Sequence, residues 1–219
     1  MFKMTFARRA AALLALAAAV GACAADFSNF SRSAQIDDVS TMRELLAAGM
    51  SPNQTEPQRG DPGMVLALRE DAKRVFMLLL EQPGINLEAR SGNGDTALMM
   101  AAYKHNMPAV MALLAKGAQV NQTGWTALHY AASAGDNDIV RVLLERHAYI
   151  DAESPTKITP LMLAAREGQD RTVRLLLDEG ADATLKSAHG WTAAQFSLAT
   201  DKGYVAEMIA AHLKAKSGR

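Results

Sequence analysis

The chain has 219 residues, of which 49% are hydrophobic and only 5% aromatic, with abundant alanine, leucine and methionine. A chain of this length can bury a sizeable core, and this composition favours closely packed helices over strands. The 23 basic residues balance the 23 acidic ones, which argues against nucleic acid as the partner, and the single cysteine excludes an intrachain disulfide.

The first residues have the pattern of a secretory signal peptide. Lys3, Arg8 and Arg9 form a basic stretch, and an uncharged, alanine-rich run follows from Ala10 to Ala25. A transmembrane helix needs roughly 20 mostly apolar residues, so this shorter run favours export and cleavage. We predict a signal peptide over residues 1–24. Its removal leaves 20 basic against 23 acidic residues, a net charge of −3.

Two processing routes are compatible with the residues around Cys23. The small residues Ala22 and Ala24 fit cleavage after Ala24, or one residue later, which would give a soluble periplasmic protein. The run Val20-Gly21-Ala22-Cys23 instead resembles a lipobox, in which Cys23 would be acylated and anchor the protein in the cell envelope. Secretion out of the cell is a third possible destination.

The rest of the chain repeats with a period near 33 residues. Thr96, Thr126, Thr159 and Thr192 open successive copies, spaced 30, 33 and 33 residues apart. Each clear copy has a leucine after the threonine, then paired alanines and paired leucines. With weaker copies at both ends, six units are predicted over the domain 25–219, at approximately 27–56, 57–90, 91–121, 122–153, 154–186 and 187–216.

Each copy is predicted to form two short helices. In the fourth copy, apolar residues recur at helical spacing in two runs: Leu128, Ala131 and Ala132, then Ile139, Val140, Leu143 and Leu144. Gly135 marks the turn between them, and Thr126 is a natural N-cap. Gly117 and Gly180 suit the left-handed residue that ends a second helix, and His147 holds the equivalent place at a cost of up to about 1 kcal/mol.

These copies resemble the ankyrin repeat, which is about 33 residues long and has the signature T-P-L-H-x-A. Together with the signal peptide pattern, the resemblance points to exported bacterial ankyrin-repeat proteins. It implies an all-α solenoid of about six helix-turn-helix units joined by short hairpin fingers. It also implies that the chain binds another protein and is not an enzyme.

In such proteins, partner contacts lie on the fingers and on exposed residues of the inner helices. By this resemblance, the residue before each threonine is expected to be exposed: Asp95, Trp125, Ile158 and Trp191. The two residues after each alanine pair are expected on the same face: Tyr103 and Lys104, Ser133 and Ala134, and Arg166 and Glu167. The matching pair of the second repeat is Arg69 and Glu70. The predicted protein-interaction face consists of Tyr103, Lys104, Trp125, Ser133, Ile158, Arg166, Glu167 and Trp191.

The loop between the third and fourth units lacks three residues, because Thr96 and Thr126 are only 30 apart. We expect this short finger to leave a notch with Trp125 at its edge. Tryptophan is favoured at interface hot spots because it buries a large, rigid surface. The alternative is that Trp125 and Trp191 pack on the adjacent fingers and stiffen them.

The remaining polar residues do not form the pattern of a catalytic or metal-binding site. His129 occupies the histidine of the signature and is expected to support its helix start by hydrogen bonding. The other histidines lack metal-ligand spacing, and nucleophile and phosphate-loop motifs are missing, so no cofactor, metal or small-molecule substrate is expected. The favoured function is a scaffold that stabilises or regulates a cell-envelope protein. The alternatives are a secreted binder of a foreign or host protein and, third, a small envelope enzyme.

Overall fold

A computed structural model describes residues 27–217, so the predicted signal peptide and Cys23 lie outside the described residues. All regular elements of the described part are helices, apart from an isolated antiparallel bridge between Thr55 and Pro62. The predicted all-α ankyrin-type fold is confirmed, although its fingers are closed by turns and carry no β-ladder in the described residues. Over residues 27–217, no helix combines the length and apolar character needed to cross a membrane.

The described residues form two compact units. The first extends to Asn93 and contains α1 (27–36), α2 (Val39–Ala47), α3 (Gly63–Arg69) and α4 (Lys73–Leu80). The second begins at Gly94. It contains α5 (Ala97–Tyr103), α6 (Met107–Ala115), α7 (Ala127–Ala134), α8 (Asn137–Glu145), α9 (Pro160–Glu167), α10 (Asp170–Asp178), α11 (Ala193–Leu198) and α12 (Gly203–Ser217).

One helix pair falls in each of the six predicted repeat ranges, with α12 ending one residue past the last range. In the second unit, the first helices of successive pairs (α5, α7, α9 and α11) pack side by side and are called the inner helices here. The second helices (α6, α8, α10 and α12) form the outer layer, each packed on its own inner helix. Each sequence repeat therefore corresponds to one inner helix with its outer helix packed against it.

Alanine pairs line the contacts between inner helices. The three predicted pairs, Ala101-Ala102, Ala131-Ala132 and Ala164-Ala165, are all completely buried. Small side chains allow the helix backbones to approach closely, and the larger core residues of each pair, such as Leu128 and Leu143, fill the space beside them. The alanines thus set the spacing of the inner helices.

Threonine N-caps fix the start of each inner helix in the second unit. Thr126 is an N-cap, as predicted, and Thr96, Thr159 and Thr192 have the same role; all four are in extended conformation. In each case the side chain three residues later accepts a hydrogen bond from the threonine backbone N–H. The accepting atoms differ between repeats: they are Met99 Sδ, His129 Nδ1, Met162 Sδ and Gln195 Oε1.

Residues in the left-handed region close the turns. The turn between the two helices of each pair contains one such residue, and these are Asp37, Asp71, His105, Gly135, Gly168 and Asp201, with φ between 54° and 79°. The predicted left-handed residues after the second helices are also confirmed: φ is 90° at Gly117, 62° at His147 and 100° at Gly180. The strain expected at His147 follows from this geometry, because a Cβ disfavours positive φ.

Polar side chains tie neighbouring outer turns together. The Asn121 amide donates to the His147 carbonyl and accepts from the Tyr149 N–H, both at 2.8 Å. One repeat later, the Asp151 carboxylate accepts from the Asp182 N–H at 3.0 Å. Burial raises the pKa of Asp151, partly offset by this hydrogen bond. The outer turns are thus linked by the backbone of one repeat and the side chain of the previous one.

His129 is buried and joins two repeats. Its Nδ1 accepts from the Thr126 N–H at 3.2 Å, so the proton of the neutral ring is on Nε2, which donates to the Ile158 carbonyl at 2.8 Å. Burial lowers the pKa of His129 to about 4, although hydrogen bonds to the carbonyls of Ile158 and Ala152 oppose this shift. The predicted structural role of this histidine is confirmed.

We predict that His129 makes the stability of the protein fall in acid. The unfolded ring titrates near pH 6.5 and the folded ring near 4, so the unfolded state binds the extra proton between these values. The free energy of unfolding should decrease by up to about 3 kcal/mol from pH 7 to pH 4 on account of this residue. Urea unfolding at several pH values measures the slope.

The matched variant is His129→Gln, because glutamine already has this capping role at Gln195 and does not titrate in this range. It should flatten the slope between pH 6.5 and 4. An unaltered slope in His129→Gln would contradict the assignment.

Candidate protein-binding surface

The inner helices and the fingers before them present a continuous surface in the second unit. Tyr103 and Lys104 end α5, Ser133 lies near the end of α7, and Arg166 and Glu167 end α9. Tyr103, Lys104 and Glu167 are exposed, and Ser133 and Arg166 are half-buried. These predicted face residues lie beside one another because the inner helices that carry them pack side by side.

A recess of about 180 Å³ opens beside Trp125, where the short finger predicts a notch. It is lined by Tyr103, Trp125, His129, Tyr130, Ser133, Leu163 and Arg166. Leu163, only 5% exposed, supplies an apolar part of its wall. We call this cavity the aromatic recess.

Ring contacts fix the walls of the aromatic recess. Tyr103 and Tyr130 pack edge to face, with ring centroids 6.2 Å apart and planes at 89°. Trp125 packs edge to face on His129, with centroids 5.2 Å apart. Such aromatic pairs contribute about 0.5–1.5 kcal/mol beyond their buried area, so these walls are held in place before any partner arrives.

Tyr130 and Leu163 are face residues that the sequence analysis missed. The Tyr130 hydroxyl donates to the Asp95 carboxylate in the preceding finger, which holds the ring at the edge of the recess. Both residues stand four positions after the N-cap threonine, where the other repeats have Met100 and Phe196. An apolar residue at that place in every repeat looks like core, and only the tyrosine hydroxyl at 130 hinted at a surface position.

A second, more polar cavity of about 700 Å³ adjoins the recess and is called the polar trough here. It is lined by Tyr103, Lys104, His105, Ser133, Ala134, Arg166 and Glu167. Three of these residues, Tyr103, Ser133 and Arg166, also line the aromatic recess. The two cavities are therefore parts of one groove.

Hydrogen bonds organise the charged groups of the trough. Arg166 Nε donates to Glu167 Oε1 at 2.9 Å, and His105 Nδ1 lies 3.1 Å from the Asp136 carboxylate. The Arg166 carbonyl accepts from Lys202 Nζ at 2.5 Å, which fixes the end of α9 to the following repeat. The backbone that carries Arg166 is thus held by a hydrogen bond from the following repeat.

The expectation that Asp95 is exposed is wrong. Only 8% of this residue is accessible, because its carboxylate turns inward and accepts from the Tyr130 hydroxyl. Asp95 therefore holds the ring of Tyr130 in position by this hydrogen bond. Aspartate at a finger tip normally faces water, and nothing local in the sequence reveals a partner 35 residues away.

Ile158 and Trp191 belong to the fingers but do not line either cavity. Ile158 is half-buried and its carbonyl accepts from His129. Trp191 is 43% exposed and packs edge to face on Phe196, with ring centroids 5.5 Å apart. Both tryptophans therefore have ring partners on the inner helix of their own repeat, and only Trp125 borders the groove.

Arg69 and Glu70 of the first unit are engaged in a polar cluster within that unit. Arg69 pairs with the buried Asp61 at 3.3 Å, and Glu70 lies 3.9 Å from Arg59. Arg59 also lies 3.3 Å from Asp61, and its carbonyl accepts from the Gly92 N–H at 3.1 Å. These contacts stabilise the longer finger of this unit, so the pair differs from its counterparts in the second unit.

Within the part of the chain that the structure describes, no group of three or more histidine, cysteine, aspartate or glutamate side chains is placed to hold a metal ion.

The chain is similar to several long proteins that contain ankyrin repeats. It is 30% identical over 156 residues to the human transient receptor potential cation channel subfamily A member 1, covering 66% of this chain and 14% of the channel. It is 31% identical over 159 residues to human SH3 and multiple ankyrin repeat domains protein 2, covering 71% of this chain and 9% of that protein. With Caenorhabditis elegans protein glp-1 it shares 35% identity over 122 residues, 49% of this chain and 9% of the relative.

The matching chain thus spans only about a tenth of the length of these relatives, which limits the similarity to the repeats. Family comparison gives the same result. Residues 63–156 match the family described as ankyrin repeats (3 copies), and residues 156–188 match a further ankyrin repeat. The chain belongs to the ankyrin-repeat family, whose members generally mediate protein–protein interactions.

Proposed function

We propose that this chain is an exported ankyrin-repeat scaffold that binds a partner protein of the cell envelope and stabilises or regulates it. The observation that carries the proposal is the groove of the second unit. Six of the eight predicted face residues line it: Tyr103, Lys104, Trp125, Ser133, Arg166 and Glu167.

The composition of the groove suits protein recognition. Tyrosine, tryptophan and arginine are the residues most enriched at interface hot spots, and Tyr103, Trp125 and Arg166 border the aromatic recess. Lys104 and Glu167 lie in the adjoining trough, as charged residues commonly do around an apolar anchor. A standard interface buries roughly 800 Å² per partner, which the exposed ends of three adjacent inner helices and their fingers can supply.

Preorganisation of the groove should help affinity. The Tyr130–Asp95 hydrogen bond, the His129 bridge and the two aromatic pairs hold its walls without a ligand. Binding then costs little side-chain ordering, which otherwise consumes about 0.5–1.5 kcal/mol per immobilised side chain.

His129 illustrates why the groove favours binding over proton-transfer chemistry. It is the histidine that borders the aromatic recess, yet both of its ring nitrogens are engaged by backbone groups and its pKa is about 4. A general base must accept a proton from the substrate near neutral pH. The His129 ring instead joins two neighbouring repeats by hydrogen bonds to their backbones.

Export is supported by the amino-acid pattern before residue 25. The basic residues Lys3, Arg8 and Arg9 and the uncharged run after them are the features that signal peptidases and translocation systems recognise. A periplasmic location follows if cleavage occurs after Ala24, and a lipid anchor follows if Cys23 is acylated.

We expect the double variant Trp125→Ala/Tyr103→Ala to recover at least tenfold less partner protein than the unmodified chain. The two changes remove two of the aromatic side chains that line the recess and with them rigid apolar contact area. The measurement is affinity-tagged recovery of cross-linked partners from the envelope fraction, quantified by mass spectrometry.

The control is the double variant Met111→Ala/Tyr149→Ala, which truncates two exposed side chains away from the groove, 42% and 69% accessible. It should recover the partner normally. Thermal unfolding of both variants distinguishes lost binding from lost fold. Normal recovery with the groove variant would move the site elsewhere.

The location is tested by fractionating cells that express the full-length chain and weighing the mature protein. A periplasmic product cleaved after Ala24 is the expected result. A product beginning at an acylated Cys23 would establish the envelope-anchored form, and one in the culture medium would favour the secreted binder. An uncleaved protein in the cytoplasm would refute export.

A further inference from the structure

We propose that the groove binds an extended segment of the partner protein in which an aromatic residue is followed, two positions later, by an acidic residue. This inference rests on the proposed function and specifies its ligand. The aromatic side chain occupies the aromatic recess, and the acidic side chain reaches the cations of the polar trough.

The size of the recess selects the first side chain. Its volume of about 180 Å³ exceeds the roughly 150 Å³ of an apolar protein cavity that binds benzene, so the recess has room for one aromatic ring. The exposed area of its lining is mostly apolar, with Leu163 and the rings of Trp125 and Tyr130 beside the entering group. Burial of an apolar ring against these side chains is favourable because it removes apolar surface from water.

Ring geometry favours an aromatic occupant over an aliphatic one. Tyr103 and Tyr130 meet edge to face, and Trp125 stands edge to face on His129, so faces and edges of rings are both available around the cavity. An entering ring can continue these offset contacts, each contributing about 0.5–1.5 kcal/mol beyond burial. The planar guanidinium of Arg166, on the same wall, can also stack on a ring.

Charge in the trough selects the second side chain. Its lining carries the two permanent cations Lys104 and Arg166 against one carboxylate, Glu167. Asp136, just outside the lining, is engaged by His105 at 3.1 Å, and Glu167 is engaged by Arg166 Nε at 2.9 Å. Guanidinium carries five N–H donors, so Arg166 can pair with Glu167 and still bind a second carboxylate, while Lys104 attracts the same group.

The spacing between the aromatic and the acidic residue of the bound segment is inferred from the continuity of the two cavities. Tyr103, Ser133 and Arg166 line both, so the ring and the carboxylate must point to the same side of the bound segment. In an extended chain, side chains alternate, and residues two positions apart share a side at a separation of about 6.6 Å. The proposed segment therefore places the aromatic and the acidic residue two positions apart.

The test uses Trp125 as the reporter. The chain contains two tryptophans, so the variant Trp191→Phe leaves Trp125 alone to report on the recess. We expect the blocked peptide acetyl-Gly-Ser-Phe-Gly-Glu-Gly-amide to change Trp125 fluorescence in a saturable titration. The same peptide with alanine for phenylalanine, or lysine for glutamate, should bind at least tenfold more weakly.

Charge reversal adds a specific readout. Arg166→Glu should weaken the glutamate peptide at least tenfold and strengthen the lysine peptide, whereas Arg174→Glu, an exposed arginine of the outer helix α10, should alter neither. Circular dichroism of each variant confirms that the helices are retained. Equal binding of the alanine and phenylalanine peptides, or no inversion with Arg166→Glu, would overturn the proposal.

Two outcomes separate this inference from the proposed function. If the peptides fail but the Trp125→Ala/Tyr103→Ala variant still loses its partner, the ligand chemistry is wrong and the scaffold function stands. If N-acetylphenylalanine binds as tightly as the hexapeptide, the recess is a site for a free aromatic acid, and the peptide-segment assignment is overturned.

Discussion

The structure of the second unit depends on one constraint: its inner helices cannot be stable alone. Helices of six to eight residues are far shorter than the 12–15 residues at which isolated helices become even marginally stable. The alanine pairs of α5, α7 and α9 have no accessible surface, so these helices depend on the neighbours packed against them. Packing between repeats, more than the propensity of any one helix, therefore maintains the secondary structure.

The same constraint produces the groove. Because the inner helices stack in register, the residues near their C-terminal ends come together although about 30 residues separate them in the chain. Tyr103, Ser133 and Arg166 hold the same place in three successive repeats and border the same two cavities. The scaffold is uniform, and the chemistry changes from repeat to repeat: an aromatic ring, a small hydroxyl and a cation.

Periodicity made the fold predictable. Repeated threonines, alanine pairs and glycines predicted six helix pairs, the N-cap at Thr126 and the left-handed residues Gly117, His147 and Gly180, because each of these features is set by residues close in sequence. The finger before α3 was harder to foresee, since the buried ion pairs of Asp61 join residues of two local elements. The absence of strand ladders from the described fingers reflects their brevity.

The candidate site was predictable only in part, and the reason is the distance between partners. Tyr103 and Arg166 were identified by register, because exposure at a given place recurs in every repeat. The hydrogen bond between Asp95 and Tyr130 was not predicted, because it depends on two residues that occur in adjacent repeats.

Interdependence of neighbouring repeats is tested most directly by native-state hydrogen exchange on the variant Ala132→Gly. This change removes a fully buried methyl group at an inner-helix contact and costs about 1 kcal/mol in helix propensity alone. If stacking maintains the helices, amides of α5 and α9 should exchange about fivefold faster, together with those of α7. Faster exchange confined to α7, with α5 and α9 unaffected, would show that the helices stand independently and would contradict this account.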